Sequence, residues 1–319
     1  MTPRRALLAS PLLALPARAQ PAWPSRPVRI VVPFPPGGPA DVLARAMAEP
    51  LSAAWGQSVV IDNRGGAGGN LGAELVARAA PDGHTLLLPA SSHVQGAALY
   101  RNLPFHPVQD FTAITMLAYY ALVLVLHPAT PAADFAGFQA LARSKPGAVT
   151  LASAGVGTPT HLSAELYRLR AGVEFTHVPY QGAAPAHAAV LGGQVMAMFT
   201  NPVLAIPAIR AGMLRGVAVT GATRSPPLPE LPTIAEQGYP GYEAGTWYGF
   251  LGPAGMPDAV VQRIHADTQQ ALAAPALQSR FAAMGLEPMH DGPAAFTQRM
   301  VDDLARWTEV IRAGNIRME

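Results

Sequence analysis

The residues with the clearest chemical implication lie in two glycine-bearing turns. Val28 to Asp41 reads Val-Arg-Ile-Val-Val-Pro-Phe-Pro-Pro-Gly-Gly-Pro-Ala-Asp. Its first residues are β-branched and nearly continuous, as in a strand buried on both faces. The prolines forbid further ladder pairing, and Gly37 and Gly38 permit a turn closed to other residues. Pro39 suits the first position of a helix, and Asp41 falls in its first turn, where a carboxylate suits the helix dipole. The second turn follows Val149 to Ser153: Ala154-Gly155-Val156-Gly157, then Thr158 as an N-cap, Pro159 at the first helical position and His161 onward. Strand, glycine turn and helix N-terminus together aim free backbone N–H groups at one point, and that chemistry binds anions. Neither 33–41 nor 152–161 contains a lysine or arginine. A buried anion there must be held by N–H groups of Gly37, Gly38 and the Gly155 to Thr158 turn, by the hydroxyls of Ser153 and Thr158, and by bridging waters.

Other chemistries fit less well. Ser153 ends a strand before a glycine turn, as a hydrolase nucleophile would, and a periplasmic serine hydrolase using it is one alternative. The nucleophile elbow Gly-x-Ser-x-Gly would need glycine at 151, where Leu151 stands. The Arg64 to Asn70 loop lacks the third glycine of a dinucleotide fingerprint, since position 71 is Leu71, and has no Walker lysine. There is no His-Glu-x-x-His, no cysteine, and the nine histidines are scattered. No metal and no cofactor are expected.

The elements that must position these turns alternate strand and helix. Residues 58–63 and 85–88 read as further strands, and Leu71 to Ala80 as a helix. Ser91 and Ser92 lie past the end of the 85–88 strand, on the edge carrying the first turn; they either face a ligand or cap the next helix. Strand patterns recur at 111–117, 121–126, 172–180, 193–201, 214–220 and 247–253, and the end is helical over 258–274, 275–284 and 293–311. The fold class is α/β, and 319 residues suggest two domains.

Residues 1–19 read as a cleavable leader: Arg4 and Arg5, the apolar run Ala6 to Leu15, and Ala17-Arg18-Ala19 as the cleavage site. Without Arg4, Arg5 and Arg18 the balance is 19 basic against 20 acidic residues. Nothing in that balance suggests nucleic acid, which wants a basic stripe, and none is expected as a partner. An exported protein is expected, cut near Ala19 and periplasmic.

Six motifs in order resemble the Bug-type substrate-binding proteins, the receptors of tripartite tricarboxylate transporters. They are Val32-Pro33-Phe34-Pro35-Pro36-Gly37-Gly38-x-x-Asp41; Asn63-Arg64-x-Gly66-Ala67-Gly68-Gly69-Asn70; Ser153-Ala154-Gly155-x-Gly157-Thr158-x-x-His161; His177-Val178-Pro179-Tyr180-x-Gly182-x-x-Pro185-Ala186; Leu191-Gly192-Gly193-Gln194-Val195; and Trp247-Tyr248-Gly249. The resemblance spans nearly all of the chain after the leader. It implies a two-domain periplasmic binding protein of the Venus-flytrap kind, with 26–123 plus 247–319 as the first domain and 124–246 as the second. The crossings would fall near Leu122 to Leu126 and Thr246 to Phe250. It implies a small organic carboxylate in the interdomain cleft, held largely by backbone amides and waters. The partner would be a transporter permease or, alternatively, a membrane sensor kinase, and the receptor a monomer.

Carried over residue by residue, the ligand site would comprise Phe34, Pro36, Gly37, Gly38, Asp41, Ser91, Ser92, Ser153, Ala154, Gly155, Gly157, Thr158, His161, Tyr180, Thr200, Asn201 and Trp247. Phe34 and Trp247 read equally well as core. The chain departs from the family in carrying Met196 and Thr200 where acids are frequent. That removes the carboxylate partner an amino-acid ligand would need.

Overall fold

The computed structural model describes residues 23–100 and 102–317, so the leader expected over 1–19 lies outside the described residues. Two sheets carry the fold. The first contains β1 (Val28–Val32), β2 (Val59–Asn63), β3 (Thr85–Leu87), β4 (Phe111–Ala121), β10 (Gly245–Pro253) and β11 (Glu287–Pro288), in the order β11-β4-β10-β3-β1-β2. The second contains β5 (Val123–Leu126), β6 (Val149–Ser153), β7 (Phe175–Pro179), β8 (Ala197–Thr200) and β9 (Arg215–Val219), in the order β7-β6-β8-β5-β9.

β1 is parallel to both neighbours and buried on both faces, as its run of β-branched residues requires. Val28, Ile30 and Val32 pack into one cluster and Val31 into another on the opposite face. β6 has the same place in the second sheet, parallel to β7 and β8. Each strand feeds a helix through a glycine turn: β1 into α1 (Pro39–Trp55), and β6 into α5 (Pro159–Ala171). Between these lie α2 (Asn70–Ala77), α3 (Ser92–Gln95) and α4 (Phe135–Ser144), and after them α6 (Ala183–Leu191), α7 (Pro202–Arg210), α8 (Asp258–Leu272), α9 (Pro275–Ala283) and α10 (Pro293–Ala313).

The sheets meet where β4 and β10 end together. Gly245 pairs with Ala121 at the last rung, and β5 begins after Leu122 alone. Leu122 N–H donates to Thr220 Oγ1 at 2.7 Å, and Thr220 N–H donates to Leu122 O at 2.9 Å. Ala244 N–H donates to Thr220 O at 2.9 Å. One buried threonine therefore ties both crossings. α10 also spans the two halves: Phe296 and Met300 pack with the first sheet, while Trp307, Val310 and Ile311 join the core of the second.

Two sequence expectations differ from these elements. The runs at 111–117 and 121–126 are one long strand, a single-residue break and a short strand in the other sheet. α7 was not legible, because Pro202 and Pro207 disguise it; Pro202 sits at the first helical position, where its missing N–H costs nothing.

Candidate functional site

The two glycine turns are built alike. In the first, Gly37 has φ +82°, Gly38 is the N-cap with φ −76° and ψ 168°, and Pro39 opens α1. In the second, Gly157 has φ +74°, Thr158 is the N-cap with φ −72° and ψ 159°, and Pro159 opens α5. A side chain at Gly157 would overlap Leu99 of the first half, so glycine also permits the halves to approach there. Helix geometry leaves the N–H groups of Ala40 and Asp41 in α1, and of Thr160 and His161 in α5, without intrahelical acceptors.

The first residues of both helices border one cavity of about 480 Å³, Pro39 and Ala40 of α1 and Pro159 of α5. Phe34, Pro36, Gly38, Ala40 and Ser92 line it from the first half, and Pro159 from the second. Tyr120 and the β10 residues Thr246 and Tyr248 also line it. Tyr120 and Tyr248 stand 6.4 Å apart between ring centroids, tilted by 38°. Burial pushes both phenols up from their ordinary range; for Tyr120 the neighbouring hydroxyls of Thr246 and Tyr248 oppose it. The Thr246 hydroxyl is buried and makes no well-directed hydrogen bond among the described residues. Such a group gains most from a ligand that supplies a partner.

Several expected contacts are committed elsewhere. Gly37 N–H donates to Asp41 Oδ2 at 2.9 Å, and Arg45 Nε donates to the same oxygen at 3.0 Å. Arg45 first, then the Gly37 N–H, hold the Asp41 carboxyl below its usual range against the opposing effect of burial. Asp41 thus fixes its loop, and Gly37 is not a free donor. Gly157 N–H donates to Nδ1 of buried His161 at 3.0 Å. His161 stacks on His177 with 4.0 Å between ring centroids. Burial, and then His177, push the His161 imidazole down to about 3, so it stays neutral and keeps its acceptor nitrogen.

Ser153 is fully buried rather than facing the cavity. Its Oγ lies 2.7 Å from His177 Nε2 and accepts Gly155 N–H at 3.2 Å. Thr158 Oγ1 donates to Gly155 O at 2.7 Å, and Ala154 N–H donates to Thr160 Oγ1 at 2.8 Å. The second turn is therefore a self-bonded loop, and its outward donors are the N–H groups of the following helix turn. Tyr180 is tied into it by its N–H to Ser153 O at 2.9 Å, and its ring packs on the second-half core.

Trp247 belongs to the core. It is fully buried, sets its ring edge-to-face against Phe296 at 5.0 Å, and donates Nε1–H to Asp303 Oδ2 at 2.8 Å. Successive residues of a strand point to opposite faces, so Trp247 looks away from the cavity that Thr246 and Tyr248 line. Ser91 and Thr200 are likewise fully buried, each with a hydroxyl lacking a protein partner among the described residues. Asn201 accepts Leu204 N–H at 3.0 Å as the α7 cap and, with Gly37, lines a second cavity. The lining residues that sequence reasoning missed are Pro35, Pro39, Ala40, Ala90, Tyr120, Pro159, Thr246 and Tyr248. β10 is buried along its whole length, so no polar alternation in the sequence marked Thr246 and Tyr248 as the cleft side.

Comparison with known proteins decides the family. Residues 43–316 match the model of the tripartite tricarboxylate transporter family receptor, TctC. The chain belongs to this family. BugT of Bordetella pertussis is 35% identical over 309 residues, covering 96% of this chain and 94% of that protein. Among solved structures, a Rhodopseudomonas palustris protein with adipate has 35% identity and a TM-score of 0.78, covering 92% of this chain and 99% of that one. MatC from the same organism, with bound malate, has 33% identity and a TM-score of 0.74, covering 91% and 100%.

The fold is thus the two-sheet α/β fold of periplasmic solute-binding proteins. TctC-family chains are solute-binding receptors rather than enzymes. The Ser153 hydroxyl, paired with His177, is fully buried.

Proposed function

We propose that this receptor captures a small organic carboxylate between its two halves and hands it to the membrane permease of a tripartite tricarboxylate-type transporter. It would reach the periplasm by a leader cut near Ala19. The observation that carries the reading is the convergence of two helix N-termini, one from each sheet, on one cavity whose lining holds no cationic side chain among the described residues. The anion would be held by the N–H groups of Gly38, Ala40, Asp41, Thr160 and His161, by Ser92 and Thr246 hydroxyls, and by waters. Water-bridged contacts of this kind are nearly as favourable as direct ones. The N-terminal dipoles of α1 and α5 each add about 0.3–1 kcal/mol, more where partly buried. The two domains, expected over 26–123 plus 247–319 and over 124–246 and changing sheet at Leu122 and Ala244, would close about the Leu122–Thr220–Ala244 junction, and the receptor would act as a monomer. The test is calorimetry with organic acids and their neutral amides, followed by uptake into vesicles carrying the permease. Acids that bind while their amides do not, with receptor-dependent uptake, are expected. Equal binding of acid and amide would refute the anion site. Ligand-dependent retention by a sensor kinase in place of the permease would refute the transport role.

A further inference from the structure

Tyr120 stands at a partition in the cleft. The anion cavity of about 480 Å³ has a neighbour of about 390 Å³, and Pro39 and Tyr120 line both. Pro39 is fixed at the start of α1, and its short ring cannot swing aside. Tyr120 is the long side chain of the partition. It is the next-to-last residue of β4, two positions before the crossing at Leu122. Its ring packs on the cores of both halves, and its centroid lies 6.4 Å from that of Tyr248. Its backbone is opposed by Thr246 of β10. Strand pairing and packing from both halves therefore hold the ring between the two cavities.

The second cavity offers a ligand two kinds of contact. Val42, Leu204, Met284 and Leu286 give it apolar walls. Ala183 and Ala184 open α6 and Val203 lies in the first turn of α7, where helix geometry leaves N–H groups without intrahelical acceptors. The Asn201 side chain lines the cavity beside them. An apolar tail and a second carboxylate would each find partners there, so what keeps a ligand out is the Tyr120 ring and not the chemistry of the walls. Resting on the reading of the cleft as a carboxylate site, we infer that Tyr120 sets the length of the ligand: with Pro39 it closes off the first cavity, and the bound acid ends at its ring. Removing the ring joins the two cavities.

The test is calorimetry on the leaderless receptor with two pairs of linear acids, adipate with sebacate and hexanoate with decanoate. Tyr120→Val removes the ring and keeps a residue type suited to a strand. It should raise the affinity of the long acid relative to the short one at least tenfold over wild type, in whichever pair binds. Tyr120→Phe keeps the ring and should keep the wild-type ratio. Val203→Trp fills the second cavity from a position 50% exposed, where folding is not at stake. It should change the affinity for the short acid less than tenfold, because the wild-type ligand does not enter there. This variant leaves Tyr120 in place and decides the matter if Tyr120→Val does not fold. A loss of tenfold or more in Val203→Trp, a smaller rise in Tyr120→Val, or a Tyr120→Phe ratio that follows Tyr120→Val overturns the inference and leaves the carboxylate receptor standing. Absence of binding by all four acids in the wild type overturns that receptor reading and this inference with it.

Discussion

Asp41 and His161 occupy the same place in two different helices. Each is the third helical residue, and each accepts the N–H of the glycine four positions earlier, at 2.9 Å for Gly37–Asp41 and 3.0 Å for Gly157–His161. A carboxylate serves in one loop and a neutral imidazole in the other. Both take the N–H that would otherwise stray from the turn, and so hold the helix N-terminus open toward the cavity. Arg45 neutralises Asp41, which would otherwise repel an anion at the same N-terminus. In the second loop no such neutralisation is needed, because burial keeps His161 uncharged.

Gly37 and Gly38 should respond differently to valine. Gly37 has φ +82°, so a β-branched residue there is strained by about 1–3 kcal/mol, and Gly37→Val should lower both stability and affinity. Gly38 has φ −76°, and a Cβ would meet only Pro35 O at 3.6 Å. Gly38→Val should therefore melt within a few degrees of wild type yet lose ligand, because its side chain fills the cavity. Paired thermal melts and calorimetry separate the two; a Gly38→Val receptor that binds normally would contradict the placement of the anion.

Ser153→Ala should act through the loop rather than through a ligand contact. It leaves His177 Nε2 and the Gly155 N–H without their partner, a loss of about 1–3 kcal/mol for buried polar groups. The expected signature is a lowered unfolding midpoint in ligand-free protein, measured by urea titration. Affinity should fall as a consequence. Unchanged ligand-free stability with abolished binding would restore Ser153 as a direct contact.

Acid should loosen the receptor before the carboxylates titrate. His161 in the folded chain is pushed down to about 3 and His93 to about 4, while His177 is also lowered, each chiefly by burial. The unfolded chain binds protons on these imidazoles at the ordinary value near ~6.5, so stability is fully present above it and declines as pH falls toward the folded values. Each such group contributes a slope of at most about 1.4 kcal/mol per pH unit. Urea midpoints between pH 7.5 and 5 should fall with pH, and less steeply in His161→Asn. Parallel slopes for the two proteins would count against a buried neutral His161.

The glycine turns were legible because their signals are local: a β-branched run, positive-φ glycines, then proline at the first helical position. Side-chain direction was not legible from the same signals. β10 is buried along its whole length, so no polar alternation marks which face of Trp247 or Tyr248 meets the cleft. Ser153 likewise ends a strand covered on both sides, and its partner His177 arrives only through the β6–β7 pairing. Tyr120 and Thr246 come together as opposed residues of β4 and β10, a contact 126 positions apart in the chain. Such residues are set by register, which one sequence does not print.

Thr246→Val gives the sharpest test of how the cavity reads its ligand. The Thr246 hydroxyl is 2% exposed residue-wide and finds no well-directed partner among the described residues, yet it lines the anion cavity. Its hydroxyl neighbour is Tyr120, poorly directed, which returns little to the ligand-free protein, while a hydrogen bond to a charged ligand would contribute about 1–3 kcal/mol. Valine has nearly the same shape and no hydroxyl. The substitution should leave the ligand-free melting temperature equal to or above that of wild type, while weakening carboxylate binding roughly tenfold to a hundredfold, the equivalent of about 1.5–3 kcal/mol. Opposite signs in the two measurements are the mark of a group kept for its ligand. A receptor that is both less stable and unchanged in affinity would show that Thr246 serves the β4–β10 ladder instead.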